Sequence, residues 1–326
     1  MPSPTAALST YRPDIGGALT QFDLAMDRQG FIAHRVLPVF EVAVSAGVFG
    51  KIPIAQLLQN RETARSSGAG YSRGSYKFAT DTFATYEHGA EEPVDEREAA
   101  LYANYFDAEV IAAQRALDVV LRNAEKRVAA MVYNATTWAG SALTTGITNE
   151  WDDSGNAVPI TDVEAAVRKV WSGTGLWPNA LIINRHVFRN LRLCNQIIDR
   201  ISSDGSGDKV KAEDITVAQL AACFDLDYIL VAGAAKNTAD EGQTAAIDKI
   251  WSDEYAMVCR IATTNDIQEP CLGRTFHWGA DGSTIGGTIE SYDEVQTRSR
   301  IHRVRHDVHE KILYTECAHL LSNVTT

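Results

Sequence analysis

Serine, histidine and carboxylate side chains are where chemistry would reside in this chain. Gly70-Tyr71-Ser72-Arg73-Gly74 matches the G-x-S-x-G pattern of a hydrolase nucleophile, with Asp and His residues downstream. That motif works only as a strained turn from a buried strand into a helix, which lifts the serine above a sheet. Here residues 61–69 are polar and Gly-rich, and strand spacing follows the serine. A serine hydrolase using Ser72 is therefore the weaker alternative. His302, His306 and His309, beside Asp307 and Glu310, invite a metal. On a strand His302, His306 and Glu310 share one face while Asp307 and His309 take the other, so at most three converge. No H-E-x-x-H occurs, and Arg303, Arg305 and Lys311 would repel a cation. The expectation is a solvated or subunit-facing strand with charges of both signs. His277, before Trp278, reads as packing.

Other constellations are equally bare. Gly173-Thr174-Gly175 and Gly205-Ser206-Gly207 lack the later glycine of a dinucleotide fingerprint, and no G-K-[ST] occurs. The acids Glu91, Glu92, Asp95, Glu96 and Glu98 could attract calcium, but helix initiation explains them without a metal. Cys194, Cys223, Cys259, Cys271 and Cys317 form no C-x-x-C pair, so they read as buried, unreactive thiols. No catalytic residue, cofactor or metal is expected. The chain reads as a non-enzyme.

The elements that would carry these residues are easier to see. Residues 1–30 lack sustained periodicity and read as an arm, with Tyr11, Ile15, Leu19, Phe22 and Leu24 available for docking. Residues 38–48 are apolar, as in a short strand or turn. From 51 to 86 the chain turns mildly basic: Lys51, Arg61, Arg65, Arg73 and Lys77 oppose few acids. Ser66-Ser67-Gly68-Ala69-Gly70 is a turn, and Tyr76, Phe78, Thr80, Thr82, Ala84 and Tyr86 alternate as in a strand. A long two-stranded hairpin with a polar tip is the simplest picture.

Glu91 and Glu92 then lead into Pro93, with Asp95, Glu96 and Glu98 following. Proline and acids in a first turn are a strong helix start. Phe106, Val110, Ala113, Leu117, Val120, Ala124, Val128 and Met131 recur at three- or four-residue steps, one uninterrupted apolar stripe. A helix from Val94 to Tyr133 would span about 60 Å. Beyond a polar connector, Thr161 and Glu164 suggest a capping box for a helix ending near Gly173. A strand is expected at 180–183, helix at 187–201, a mobile loop at 202–207 and helix at 214–224. Strands are expected at 228–231 and 255–261, and a strand-like tail at 284–324. The middle is α/β in texture and the end is β, so a domain is discontinuous.

The 326 residues carry 45% apolar side chains and a net charge of −12. A substantial core is affordable, and an acidic chain lacks the basic footprint of a specific nucleic-acid reader. No signal peptide and no stretch of about 20 apolar residues is seen, so a soluble product with no membrane partner is expected.

Two runs carry a family likeness when their order is considered. One is Tyr86-Glu87-His88-Gly89-Ala90-Glu91-Glu92-Pro93-Val94-Asp95 into the long helix. The other is Thr174-Gly175-Leu176-Trp177-Pro178-Asn179-Ala180-Leu181-Ile182-Ile183 after a capped helix. From about residue 30 onward the chain resembles the major capsid proteins of tailed bacteriophages, which share the HK97-like fold. The resemblance implies an α+β chain with five parts. These are an N-terminal arm and its base (1–50), an extended β-hairpin loop (51–90), a peripheral domain with a spine helix (91–154), an α/β axial domain (155–287), and a β return completing the peripheral domain (288–326).

The implied function is structural. Such a protein self-assembles into hexamers and pentamers of an icosahedral shell enclosing double-stranded DNA, contacted non-specifically. It works with a separate scaffolding protein, a portal protein and a decoration protein, in a virion assembled in the host bacterial cytoplasm. An encapsulin-like nanocompartment shell is the alternative, although encapsulins usually begin with a helix. On this reading Arg61, Arg65, Arg73 and Lys77 of one subunit meet Glu91, Glu92, Asp95 and Glu96 of a neighbour.

Overall fold

The computed structural model describes residues 10–11, 30–75, 77–102, 107–202, 211–240 and 242–325. Ile15, Leu19, Phe22, Leu24, Tyr76, Phe106 and most of the expected 202–207 loop lie outside the described residues. Strand β1 (Thr10–Tyr11), the single helical turn α1 (Ala33–Val36) and strand β2 (Val39–Val42) come first. β3 (Ala46–Lys51) then leads through the short helix α2 (Ile54–Leu57) and an irregular loop to β4 (Ala79–Ala84). β3 and β4 pair antiparallel, from Ala46 opposite Ala84 to Lys51 opposite Ala79. The hairpin thus exists, but its ladder recruits residues 46–51 from the expected arm base. Lys77 and Phe78 lie outside the ladder, and β4 begins only at Ala79.

The largest correction concerns the expected long helix. Tyr86–Asp95 is strand β5, α3 covers Glu96–Tyr102, and the spine helix α4 runs only Ala108–Val132. Its 25 residues measure about 37 Å. The proline and acids misled because they suit an edge strand as well as a helix start. Among the described residues β5 pairs with β14 alone, with Pro93 opposite Ile301. The working caps lie further on. The Asp95 carboxylate accepts from the Arg97 and Glu98 amides, and that of Asp107 accepts from Glu109 N at 3.0 Å and Val110 N at 3.3 Å. Ala113, Leu117, Val120, Ala124 and Val128 are buried, as their spacing requires.

The remaining elements follow the expected order with shifted ends. After β6 (Thr144–Gly146), helix α5 (Pro159–Thr174) starts two residues before Thr161, with Pro159 in its first turn. Gln196 Oε1 accepts from Ile160 N at 2.9 Å, so the Thr161 box is not needed. The helix ends on Gly175 in the left-handed region (φ 68°), not on Gly173. β7 (Ala180–Asn184) is buried throughout, and Asn184 caps α6 (Arg185–Leu193). Cys194 turns extended there and separates α7 (Asn195–Ile201), so the expected 187–201 helix is two. Thr216 and Gln219 form the capping box of α8 (Val217–Phe224). Then come β8 (Tyr228–Ala232), β9 (Ala235–Asn237), β10 (Ile247–Lys249), β11 (Tyr255–Cys259), β12 (Gly273–Trp278), β13 (Thr288–Glu294), β14 (Ser299–Ile312) and β15 (Ala318–Ser322).

Two sheets organise these strands. One has the order β1-β13-β14-β12-β2, with β5 also paired to β14; the other has the order β6-β15-β11-β7-β8. The expected division at 155–287 and 288–326 does not follow these sheets. β12, from the presumed axial segment, joins the first sheet, while β15, from the presumed peripheral return, sits centrally in the second. β6, from 91–154, also joins the second sheet. Pairing partners are non-local, so chain texture cannot assign them.

The spine helix ties the sheets together. Its Ala113, Ala116, Leu117, Val120 and Leu121 pack with Ile289 and Val304 of the first sheet. Further along, Val128, Ala129 and Val132 pack with Ala180, Ile182, Met257 and Leu320 of the second. The opposite face of that sheet, including Leu181, Ile183 and Val258, is covered by residues of α5 to α8. Alternation along β7 thus serves two cores at once. β14 runs through the middle of the first sheet, so the expectation of a solvated His-bearing strand is overturned. His302, His306, Asp307 and Glu310 are all buried.

Candidate assembly surface

A stack of phenylalanines fixes the base of the protruding loop. Phe83 of β4 lies flat on Phe276 of β12, with centroids 4.9 Å apart and planes 9° from parallel. Phe49 and Phe40 flank the same ring at 5.6 and 6.0 Å. The Tyr314 hydroxyl donates to Ile52 O at 3.1 Å, and the Lys51 ammonium lies 4.3 Å from the Tyr314 ring centroid. On the far side Lys311 of β14 bonds Asp81 and Thr82 O. The Leu58 side chain closes on Gly175, where a Cβ would stand only 2.8 Å from Leu58 Cδ1. Glycine there meets both the left-handed backbone and this close approach.

Beyond that anchored base the described part of the loop is exposed. Arg65, Arg73 and Lys77 face solvent, while Arg61 is half-buried with its guanidinium against Gly74. The Arg65 Nε donates to Ala69 O at 2.7 Å, and its guanidinium lies 4.7 Å from the Tyr71 ring centroid. Tyr71 is 74% exposed and Phe78 is 73% exposed. Ser72 lies exposed in this irregular stretch, with no strand before it and no helix after it. The strained elbow that a serine nucleophile requires is not formed.

The acids expected to meet these bases lie elsewhere on the subunit. Glu92 is 3.7 Å from Arg115, Glu91 is 3.9 Å from Arg303, and Glu96 is 3.1 Å from Arg298. Asp95 serves as a cap. The structure therefore brings the acids together along β5 and the start of α3, each with a contact in its own chain, and does not bring the loop bases to them. Nearby, Glu290 bridges Arg303 and Arg305. Burial pushes the Glu290 carboxyl up, but hydrogen bonds and charge from the two arginines hold it below the usual carboxylate range.

Sequence reasoning missed the most deeply placed acid. Glu125 of α4 is 1% exposed, and its carboxylate accepts from Ile32 N at 3.0 Å, Ala33 N at 2.8 Å and Trp251 Nε1 at 2.6 Å. One side chain thereby pins α1 and the Trp251 turn to the spine. The available signal was an acid set inside an apolar stripe, between Leu121 and Val128.

Among the described residues, no group of three His, Cys, Asp or Glu is placed to hold a metal ion, and no helix is long and apolar enough to cross a membrane. Cys194, Cys259, Cys271 and Cys317 are free and buried, with Cys223 intermediate. Burial pushes the thiols of Cys194 and Cys317 up to about 12 and that of Cys271 up to about 11. A thiol reagent at pH 7.5 is expected to modify native Cys223 at least tenfold faster than the other four, since thiolate fraction and access set the rate. Peptide mass mapping after timed alkylation measures this, and comparable rates at all five would contradict it.

No family model matches the chain. The chain is 26% identical over 225 residues to the major capsid protein of Burkholderia phage BcepMu, covering 66% of this chain and 68% of that protein. A phage-related protein from Bordetella bronchiseptica superposes with a TM-score of 0.68 at 16% identity, covering 97% of this chain and 98% of that one. The capsid of cyanophage P-SCSP1u gives 0.57 at 13% identity, covering 88% and 86%. The chain has the HK97-like fold of phage capsids. On this fold the loop carrying Tyr71 and Phe78 is a conspicuous exposed feature.

Proposed function

We propose that this chain is a phage major capsid protein, which assembles into hexamers and pentamers of an icosahedral shell that encloses double-stranded DNA. One observation carries the reading. The loop at 52–78 is firmly anchored at its base yet presents Tyr71, Phe78, Arg65, Arg73 and Lys77 outward, away from the subunit's own core. Aromatic and arginine side chains on a fixed support are what an interface anchor requires. Its partner surface is the acidic rim of a neighbour's β5 and α3, formed by Glu91, Glu92, Asp95 and Glu96. Glu96 is 65% and Glu91 45% exposed even within their own ion pairs. Such exposed pairs are worth about 0–1 kcal/mol each, so they exchange readily for contacts from another copy.

The sequence relative is a phage capsid protein, which favours a phage shell over an encapsulin-like compartment. A separate scaffolding protein, a portal, a decoration protein, and assembly in the bacterial cytoplasm belong to the same reading. Net charge of −12 suits a lining that must not trap packaged DNA. The test is size-exclusion chromatography and negative-stain microscopy of the purified chain, alone and with a candidate scaffold. Closed shells or capsomer rings are the expected result. A monomer or dimer under every condition would overturn it.

A further inference from the structure

Four elements meet around a group of imidazoles under the spine helix. His306 of β14 is fully buried; its Nδ1 lies 3.3 Å from Ile285 O and its Nε2 has no hydrogen-bond partner. His88 of β5 stands directly opposite it across the strand pair, with ring centroids 5.9 Å apart. His34 of α1 comes from a third direction, and its Nδ1 is also shielded from water without a partner. Arg127 of α4 lies over the group and grips Glu310 of β14 with Nε at 3.1 Å from both oxygens and Nη2 at 2.6 Å from one. The Nδ1–H bond to a carbonyl leaves His306 Nε2 as a bare lone pair, ready to take a proton.

We propose that His34, His88 and His306 form an acid-sensitive latch that holds α1 and β5 against the spine helix and β14. At neutral pH three uncharged rings fill the junction. A proton on His306 or His34 places a cation beside Arg127 in a space shielded from water, and the elements that supply the charges are driven apart. Charged and titratable groups face the imidazoles from every side. α4 contributes Arg127 and Lys126, β5 contributes His88, and β14 contributes Glu310 and Asp307. β12 adds His277, which is held 2.7 Å from Glu41 of β2. Glu310 is the nearest counter-charge, but Arg127 already engages both its oxygens. A groove lined by His88, Val120, Asn123 and Lys126 opens on the same junction and gives protons a route from solvent.

The direction of the titration agrees with that geometry. Burial, chiefly, lowers His306 from 6.5 to about 4, and burial also lowers His34 and His88. A histidine held below its unfolded value loses stabilisation as pH falls from about 6.5 towards 4, because the open state takes up the proton first. His306 alone shifts the opening equilibrium by about 70-fold between pH 7.5 and 4.5. One of the two latched elements, β5, carries the acidic rim of the proposed assembly role. Its test reads the subunit itself, so the two ideas can fail separately.

Amide exchange of the full chain, followed by mass spectrometry from pH 7.5 to 4.5, is the experiment. Peptides covering 31–37 and 86–95 are expected to lose protection below about pH 5.5, while 180–184 and 255–259 keep theirs. His306→Gln and His34→Gln remove the protonation site, so the transition should move down by about one pH unit or more. His186→Gln, at an exposed position, should leave it in place. An unchanged midpoint in both latch variants overturns the proposal, as does simultaneous loss of protection in all four peptides. Where a variant does not fold, imidazole resonances of the unmodified chain decide. His306 titrating near 6.5 with protection intact refutes the latch, and titration together with opening supports it.

Discussion

Replacing Glu125 with alanine is expected to cost this protein about 3–5 kcal/mol of folding stability. The carboxylate is the acceptor for three donors: the Ile32 and Ala33 amides and the Trp251 indole N–H. Truncation leaves all three facing a small cavity, and each unsatisfied buried donor costs about 1–3 kcal/mol before water or relaxation recovers part of it. Against a total of about 5–15 kcal/mol for a folded domain, that is a large loss. Glu125→Gln keeps the shape but turns an amide NH2 towards one of the donors, so an intermediate loss of about 2 kcal/mol is expected. Urea unfolding followed by tryptophan fluorescence measures both.

The pH dependence carries its own sign. Burial raises the Glu125 carboxyl above its ordinary value of 4.5, although the three donors oppose the rise. The folded state therefore holds that proton longer than the unfolded chain. The stability gap between the unmodified chain and the Gln variant should accordingly narrow as pH climbs through and above 4.5. An alanine variant of unchanged stability would show that the spine is not pinned at this point.

Charge reversal in the loop is expected to act on assembly and leave the fold alone. Arg65 and Arg73 are exposed, so Arg65→Glu with Arg73→Glu should leave the unfolding midpoint of the isolated subunit nearly unchanged. In the proposed interface the double variant replaces attraction to a neighbour's acidic rim by repulsion, and it also removes the cation that stacks on Tyr71. A loss of about 1.4 kcal/mol per contact raises the concentration needed for association tenfold, and a shell repeats the contact in every subunit. At least a tenfold rise in the threshold concentration for shells is expected. Light scattering against protein concentration reads that threshold, and a threshold equal to that of the unmodified chain would remove the loop from the interface.

Much of this architecture is local, and local physics is legible in a single chain. Ala113, Leu117, Val120, Ala124 and Val128 announced the buried face of the spine because a helix repeats every 3.6 residues whatever it packs against. Residues 180–183 announced a buried strand by the same kind of argument, and the loop bases were visible as a shift in charge. The order of elements supported the capsid likeness before any contact was known. Where a local signal had two physical meanings, it failed. Pro93 with its flanking acids satisfies both a helix's first turn and an edge strand, and only the presence of β14 alongside selects the strand.

What tertiary structure alone decided is everything that depends on residues distant in sequence. β15 enters the second sheet between β6 and β11, and β12 enters the first, so domain membership departs from chain order. His306, read as exposed by its charged neighbours, is buried because β5 and α4 cover it. Glu125 finds Trp251 across 126 positions of sequence and α1 across more than 90. Phe83 and Phe276 build the loop's foundation across a still longer interval. Sequence determined which surfaces were apolar, which turns were capped and which segment would stand out in charge. The fold determined their partners, because burial and hydrogen-bond satisfaction are properties of neighbours in space, not of neighbours in sequence.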